Sequence, residues 1–197
     1  MKSLNTVLKG SAAGVALATA LLSTQAFAAD YVIDTKGAHA SINFKIPHLG
    51  YSLLLGRFND FSGDFTYDAE DVAASKISVT IDTTSIDSNH AERDKHLRSN
   101  DFLAVEEFPE ATFVSTKVVD IDDEEFDLVG DLTLRGVTKE ITIEVEKVGE
   151  GKDPWGGYRV GFEGETEIRL QDFGIEKDLG PASRVVELEL HIEGIRK

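Results

Sequence analysis

His90, Asp94 and His96 stand close together in SNHAERDKHLRSNDFLAVEEFPEATF (88–113), the one long polar stretch of helical character in the chain. Imidazole and carboxylate groups can hold a metal or move a proton. Spacing decides how far that goes. His90 and His96 are six apart, which sets them about 120° apart around a helix, so one ion cannot take both. His90 and Asp94 are four apart and share a face. They supply two ligands, too few for a zinc site, though the pair could assist acid–base chemistry. The acidic run DIDDEEFD (120–127) suggests calcium. It lacks the mid-loop glycine and the distal bidentate glutamate of an EF-hand, and reads as a solvated hairpin tip. There is no Gly-x-Ser-x-Gly elbow. Ser99 and Ser115 have no His and Asp partners in motif context. Glu106 and Glu107 stand out little in a chain with 36 acidic residues. Cysteine is absent, which excludes thiol nucleophiles and thiolate metal sites. The expectation is no catalytic residue, no metal and no cofactor, with the histidines solvated or hydrogen-bonded.

The elements around this stretch are strands. Ile42, Phe44 and Ile46 alternate with Ser41, Asn43 and Lys45. Ile77, Val79 and Ile81 alternate with Ser78, Thr80 and Asp82. The same period of two runs through 126–134, 140–146, 158–170 and 185–193. The partner face is repeatedly acidic and therefore faces water. In 57–67, Phe61, Phe65 and Tyr67 share a parity that Phe58 does not, which predicts a β-bulge or bend between Phe58 and Phe61. Asp122–Glu125, Arg135-Gly136 and Gly149–Pro154 read as hairpin connections. Eight or more strands with short links imply antiparallel pairing. Their one-sided apolar faces leave a sandwich or a closed barrel, and about eight strands suit a small barrel. Within 88–113, Asn89 is placed to cap a helix, with Glu92 at the capping-box position. A second helical turn is expected near 101–107, stopped by Pro109.

The ends and totals set the setting. Lys2 and Lys9, the apolar run 12–22 and Ala26-Phe27-Ala28 form a secretory signal, with cleavage expected between Ala28 and Ala29. The apolar run is shorter than the ~20 helical residues that span a bilayer. Residues 1–28 are thus read as leader and 29–197 as one domain. The formal charge is −16, and loss of two leader lysines makes it more negative. Such acidity disfavours nucleic acid and anionic membrane surfaces. No integral membrane segment is expected in the mature chain.

YVID (31–34), HASINFKIPHLGYS (39–52), GRFNDFSGDFTYD (56–68), IDSNHAERDKHLRSNDFLAVEEFPEATF (86–113), GDLTLRGVTKEITIEV (130–145) and RLQDFGI (169–175) follow one another in the chain. Together they resemble the YceI-like family of polyisoprenoid-binding, lipocalin-like periplasmic proteins, over essentially all of residues 30–196. The resemblance implies an all-β fold: an antiparallel eight-stranded lipocalin-like barrel with one short helical insertion. It also implies an apolar pore that takes a long isoprenoid or related lipid.

The strand faces alone leave two outcomes open, a filled interior or a cavity; the resemblance favours the cavity. Its expected lining is Ile42, Phe44, Ile46, Phe61, Phe65, Ile77, Val79, Ile81, Phe113, Leu132, Leu134, Ile143, Phe162, Ile168, Leu188 and Leu190. Covering about 400 Å² of prenyl chain is worth on the order of 10 kcal/mol gross, much of it offset by association and ordering. The 88–108 segment and the 47–57 loop are expected to cover one mouth, with Arg57, Asn89, His90, Arg93 and His96 near a headgroup. The functional expectation is periplasmic binding, storage or transport of an amphiphilic isoprenoid, such as a quinone or its precursor, or a related fatty lipid. The alternatives are an enzyme or accessory protein acting on such a lipid, and a filled-barrel, stress-related interaction protein. An exposed edge strand leaves room for a homodimer.

Overall fold

The structure is a computed structural model that describes residues 28–122, 124–177 and 179–197. The leader expected at 1–28 lies outside the described residues, apart from Ala28. Eleven strands form one antiparallel sheet: β1 (Ala29–Ile33), β2 (Ser41–His48), β3 (Ser52–Phe58), β4 (Phe61–Tyr67), β5 (Lys76–Asp82), β6 (Ile86–Asp87), β7 (Glu110–Val119), β8 (Glu125–Leu134), β9 (Val137–Lys152), β10 (Tyr158–Arg169) and β11 (Val185–Arg196). Among the described residues a single α-helix, α1 (Ala91–Leu97), lies between β6 and β7.

Eight of the strands close on themselves in the order β1-β4-β5-β7-β8-β9-β10-β11, with β11 returning to β1. Closure removes the barrel's free edges. The seam is forked. Along one edge, β11 pairs with β2 through Glu187–His191 and then with β1 through Gly194–Arg196. The β2–β3 hairpin with β6 therefore extends the barrel wall on the side of α1.

Alternation explains the strands. Val79 and Ile81 are buried between the more exposed Ser78, Thr80 and Asp82. Ile143 and Val145 are buried between Thr142, Glu144 and Glu146. The outer face carries acidic residues directly opposite one another, as in Asp127–Glu144, Glu144–Glu165 and Glu165–Glu189. Like charges in register oppose pairing, so the apolar inner face must hold these strands together. At the end of the row, Lys45 bridges Glu187 and Glu189 and relieves the repulsion.

One local expectation is resolved and two are corrected. The phase break at 57–67 is the bend rather than the bulge: the chain turns at Asn59 and changes strands. Phe58 ends β3 and pairs with Ile42 and Ile86, while Phe61 opens β4 and pairs with Ile81. The register shifts lie elsewhere, opposite Gly161/Phe162 on β10 and between Ser115 and Lys117 on β7. Gly149 and Gly151 belong to β9, and the turn is Asp153–Gly157, where Asp153 accepts from the Trp155 and Gly157 N–H groups at 3.0 and 2.7 Å. The 47–57 segment is the end of β2, a turn at Leu49–Tyr51 and β3, rather than a loop.

Candidate functional site: a two-chambered apolar cavity

The barrel interior is not filled. Phe162 sits among Phe65, Tyr67 and Phe126 at ring separations of 5.9, 5.1 and 6.1 Å, and Tyr31 stacks on Phe65 at 4.9 Å. Beside this aromatic cluster lies an inner chamber of about 130 Å³. A second chamber of about 330 Å³ lies on the α1 side, walled by β2, β3 and the segment after β6. Ile42, Ile81, Leu132 and Leu188 line both chambers and form the boundary between them.

Of the sixteen residues expected on the lining, Phe65, Ile77, Val79, Phe113, Ile143, Phe162 and Leu190 face the inner chamber. Phe44, Ile46, Leu134 and Ile168 face the α1-side chamber. The four shared residues line both, and Phe61 lines neither chamber. It is half-buried and packs against the core at the strand change.

The 88–108 segment roofs the α1-side chamber as a fixed element. Arg98 donates to the Thr84 carbonyl at 2.7 Å and to the Ile86 carbonyl. Thr83 Oγ1 donates to the Phe108 carbonyl at 2.7 Å. Arg135 holds the Asn100 and Gly174 carbonyls at 3.1 and 2.7 Å. Residues 101–107 form turns rather than a second helix, and Phe102, Leu103, Ala104 and Val105 are buried. Phe102 and Leu103 face the chamber. They escaped the sequence reading because they sit without periodicity inside a polar stretch.

The polar residues near the roof divide sharply. His90, not Asn89, caps α1: its Nδ1 accepts from the Arg93 N–H at 3.2 Å. Asn89 takes a left-handed φ of 60° and donates its N–H to Asp87 at 2.8 Å. Asn89 and His90 are exposed and line neither chamber. Arg57 is exposed on β3, opposite Asn43 and Asp87, and also lines neither. Arg93 and His96 do line the α1-side chamber, with Ser88 and His48.

Asp94 is buried and accepts from Ser88, at 2.8 Å from N–H and 2.5 Å from Oγ. Arg93 Nε donates to Ser88 Oγ at 2.7 Å and Nη2 to the Ser88 carbonyl at 2.6 Å. Among the described residues Arg93 makes no ion pair, and it stands half-buried at an apolar wall. His96 Nε2 lies 2.8 Å from Asp101 and its ring meets Phe102 edge-on at 5.0 Å. The interactions of Asp101 with His96 and then Lys177 lower its carboxyl pKa. His90 and Asp94 therefore serve different partners and do not assemble a proton-transfer pair.

Two groups of three side chains have metal-compatible spacing among the described residues: Asp34, His39 and Glu193; and Glu165, Glu187 and Glu189. A protein cation already serves each. Arg159 pairs with Asp34 at 2.7 Å and with Glu193, and Lys45 serves Glu187 and Glu189.

The comparisons bear on this architecture. The profile of the YceI-like domain matches residues 31–194. The chain belongs to the YceI-like family. A UPF0312 protein of Ectopseudomonas mendocina (strain ymp) is 58% identical over 191 residues, covering 97% of this chain and all of the relative. Among solved structures, Burkholderia cenocepacia BcnA superposes with a TM-score of 0.74 at 21% identity, over 82% of this chain and 98% of BcnA. A polyisoprenoid binding domain from Saccharophagus degradans, implicated in plant cell wall breakdown, superposes with a TM-score of 0.64 at 16% identity, over 85% of this chain and 98% of that one. At these identities the two structures establish the shared fold. The YceI-like barrel is thus common to all three, and the chambers lie inside it.

Proposed function

We propose that this YceI-like protein binds, stores or carries an amphiphilic long-chain isoprenoid, such as a quinone or its precursor, or a related lipid, in the periplasm. The observation that carries the reading is the pair of adjoining apolar chambers with Arg93 at the wall of one of them, held by Ser88 and without an ion-pair partner among the described residues. A flexible chain with small apolar branches fits a lining of Ile, Leu, Val and Phe, and gains by leaving water. Its polar end belongs beneath α1, where Arg93, His96, His48 and Ser88 gather. The likeness to a polyisoprenoid binding domain supports the same ligand class. The leader-like residues 1–28 support export. The pair that the spacing offered for proton transfer, His90 and Asp94, is not assembled, which removes one support for turnover.

The test is native mass spectrometry of the protein purified from a periplasmic extract, followed by add-back of defined prenyl chains. A co-purifying lipid, or uptake of an added prenyl chain in stoichiometric amount, is the expected result. Absence of both overturns the reading. Fractionation of cells expressing the full chain tests the periplasmic part.

A further inference from the structure

Exposed apolar side chains gather most densely on one hairpin of this protein, β2–β3, which holds four of those among the described residues. Over Lys76–Asp82 of β5, Thr138–Glu146 of β9 and Glu187–Glu193 of β11 the outward positions carry charged or hydroxyl side chains or histidine. On β3 the run Leu53-Leu54-Leu55 is apolar on both faces. Leu54 faces the α1-side chamber with Phe44 and Ile46. Leu53 and Leu55 face away, 59% and 62% exposed, and the turn presents Leu49 and Tyr51 at 56% and 87%. A sheet apolar on both faces is normally covered on both. Residues 46–56 hold no Asp, Glu, Lys or Arg in a chain that is 28% charged.

We infer that the tip of the β2–β3 hairpin docks on a phospholipid bilayer. The inference rests on the lipid-carrier reading above. Three observations select the bilayer over a protein partner. The apolar side chains occupy the tip and the outer face together, a wedge suited to end-on insertion. A strand added along β3 would extend the sheet in its own plane and leave Leu53, Leu55 and the turn uncovered. Tyr51 stands at the apex, and tyrosine suits the boundary between headgroups and acyl chains. The hairpin that carries the docking face also forms part of the chamber wall on its inner side, through His48 and Leu54. A lipid could pass between bilayer and chamber along one hairpin without exposing its chain to water. The overall negative charge makes a zwitterionic surface the better partner than an anionic one.

The experiment is co-sedimentation with phosphatidylcholine vesicles, comparing the protein with an L53E/L55E variant. Both leucines are surface residues outside the cavity lining, so the fold and uptake of a prenyl chain from dilute detergent should be unchanged. The expected result is partitioning of the parent protein, a loss of at least about tenfold in the variant, and weaker binding when phosphatidylglycerol is included. Failure of the parent protein to partition, or equal partitioning of the variant, overturns the inference. So does a concentration-dependent dimer abolished by the same substitutions, which assigns the face to a second copy. Failure of prenyl uptake in both proteins overturns the carrier reading instead, and is read separately from the vesicles.

Discussion

Arg93 is tied to Ser88 through both Nε and Nη2, at 2.7 and 2.6 Å, and Ser88 is tied in turn to buried Asp94. The serine stands between the guanidinium and the carboxylate. Arg93 is thereby oriented, while its remaining N–H donors are left for a group in the chamber. Arg93→Gln should weaken a prenyl chain with an acceptor headgroup by about 1.5–3 kcal/mol, the worth of a hydrogen bond to a charged group, or roughly tenfold to a hundredfold. A prenyl hydrocarbon without a headgroup should bind the variant and the parent alike. Titration of both ligands against both proteins reads the difference, and an equal loss for both would remove the headgroup from Arg93.

The boundary between the chambers makes a prediction about chain length. Ile42, Ile81, Leu132 and Leu188 face both chambers, and Leu188 is only half-buried. Leu188→Trp should add bulk at this boundary and keep one ligand from reaching both chambers. Long chains that occupy both should lose at least about tenfold in affinity, or about 1.4 kcal/mol. Short chains held in the α1-side chamber should be little affected. A series of prenols of increasing length shows this as a flattened dependence of affinity on length.

The strands of the barrel were legible because burial has period two and the outer positions are so often acidic. Ile77, Val79 and Ile81 announce their face without help. Other features depend on contacts that no local pattern encodes. Phe58 and Phe61 look like one strand with a defect, because the sequence does not say that the chain leaves the β2–β3 extension and joins the barrel between them. Phe102 and Leu103 are hidden by their polar neighbours, although they seal the cavity. Arg57 and Arg93 look equally suited to a headgroup. Only the pairing of β3 puts the first outside, and only the lashing of α1 to Ser88 puts the second at the wall. The ion pair of Asp34 with Arg159 joins residues 125 apart in the chain, beyond any reading of spacing.

Gly130 on β8 tests how closely the inner wall is packed. A Cβ there would lie 2.5 Å from the Phe113 ring and 2.6 Å from the Val114 carbonyl oxygen. The ring can turn, but the carbonyl belongs to the β7 backbone. Gly130→Ala should destabilise the fold by about 1–3 kcal/mol through overpacking. It should also push Phe113 into the inner chamber and reduce lipid capacity. Urea unfolding gives the first quantity and stoichiometry of bound prenyl chain the second. Gly149, with no heavy atom within 4 Å of its built Cβ, is the control, and its alanine variant should be close to neutral.

At the end of the seam, Asp34 is 6% exposed and accepts from Arg159 at 2.7 Å, from the Gly37 N–H at 2.8 Å and from His39 at 3.0 Å. The hydrogen bond from Arg159 is the largest cause holding its carboxyl at about 2. A folded-state value below the unfolded one stabilises the fold above the ordinary carboxylate range, and that stabilisation is lost as pH falls through it toward about 2. The shift corresponds to about 2 kcal/mol near neutral pH. Asp34→Asn should therefore cost about that amount at neutral pH, and the gap to the parent protein should close on acidification. Arg159→Met should cost at least as much at neutral pH, because it leaves Asp34 and Glu193 facing each other without their cation. Thermal unfolding of the three proteins across the acid range checks the sign. A gap that widened as pH fell would show that Asp34 is not held ionised by Arg159.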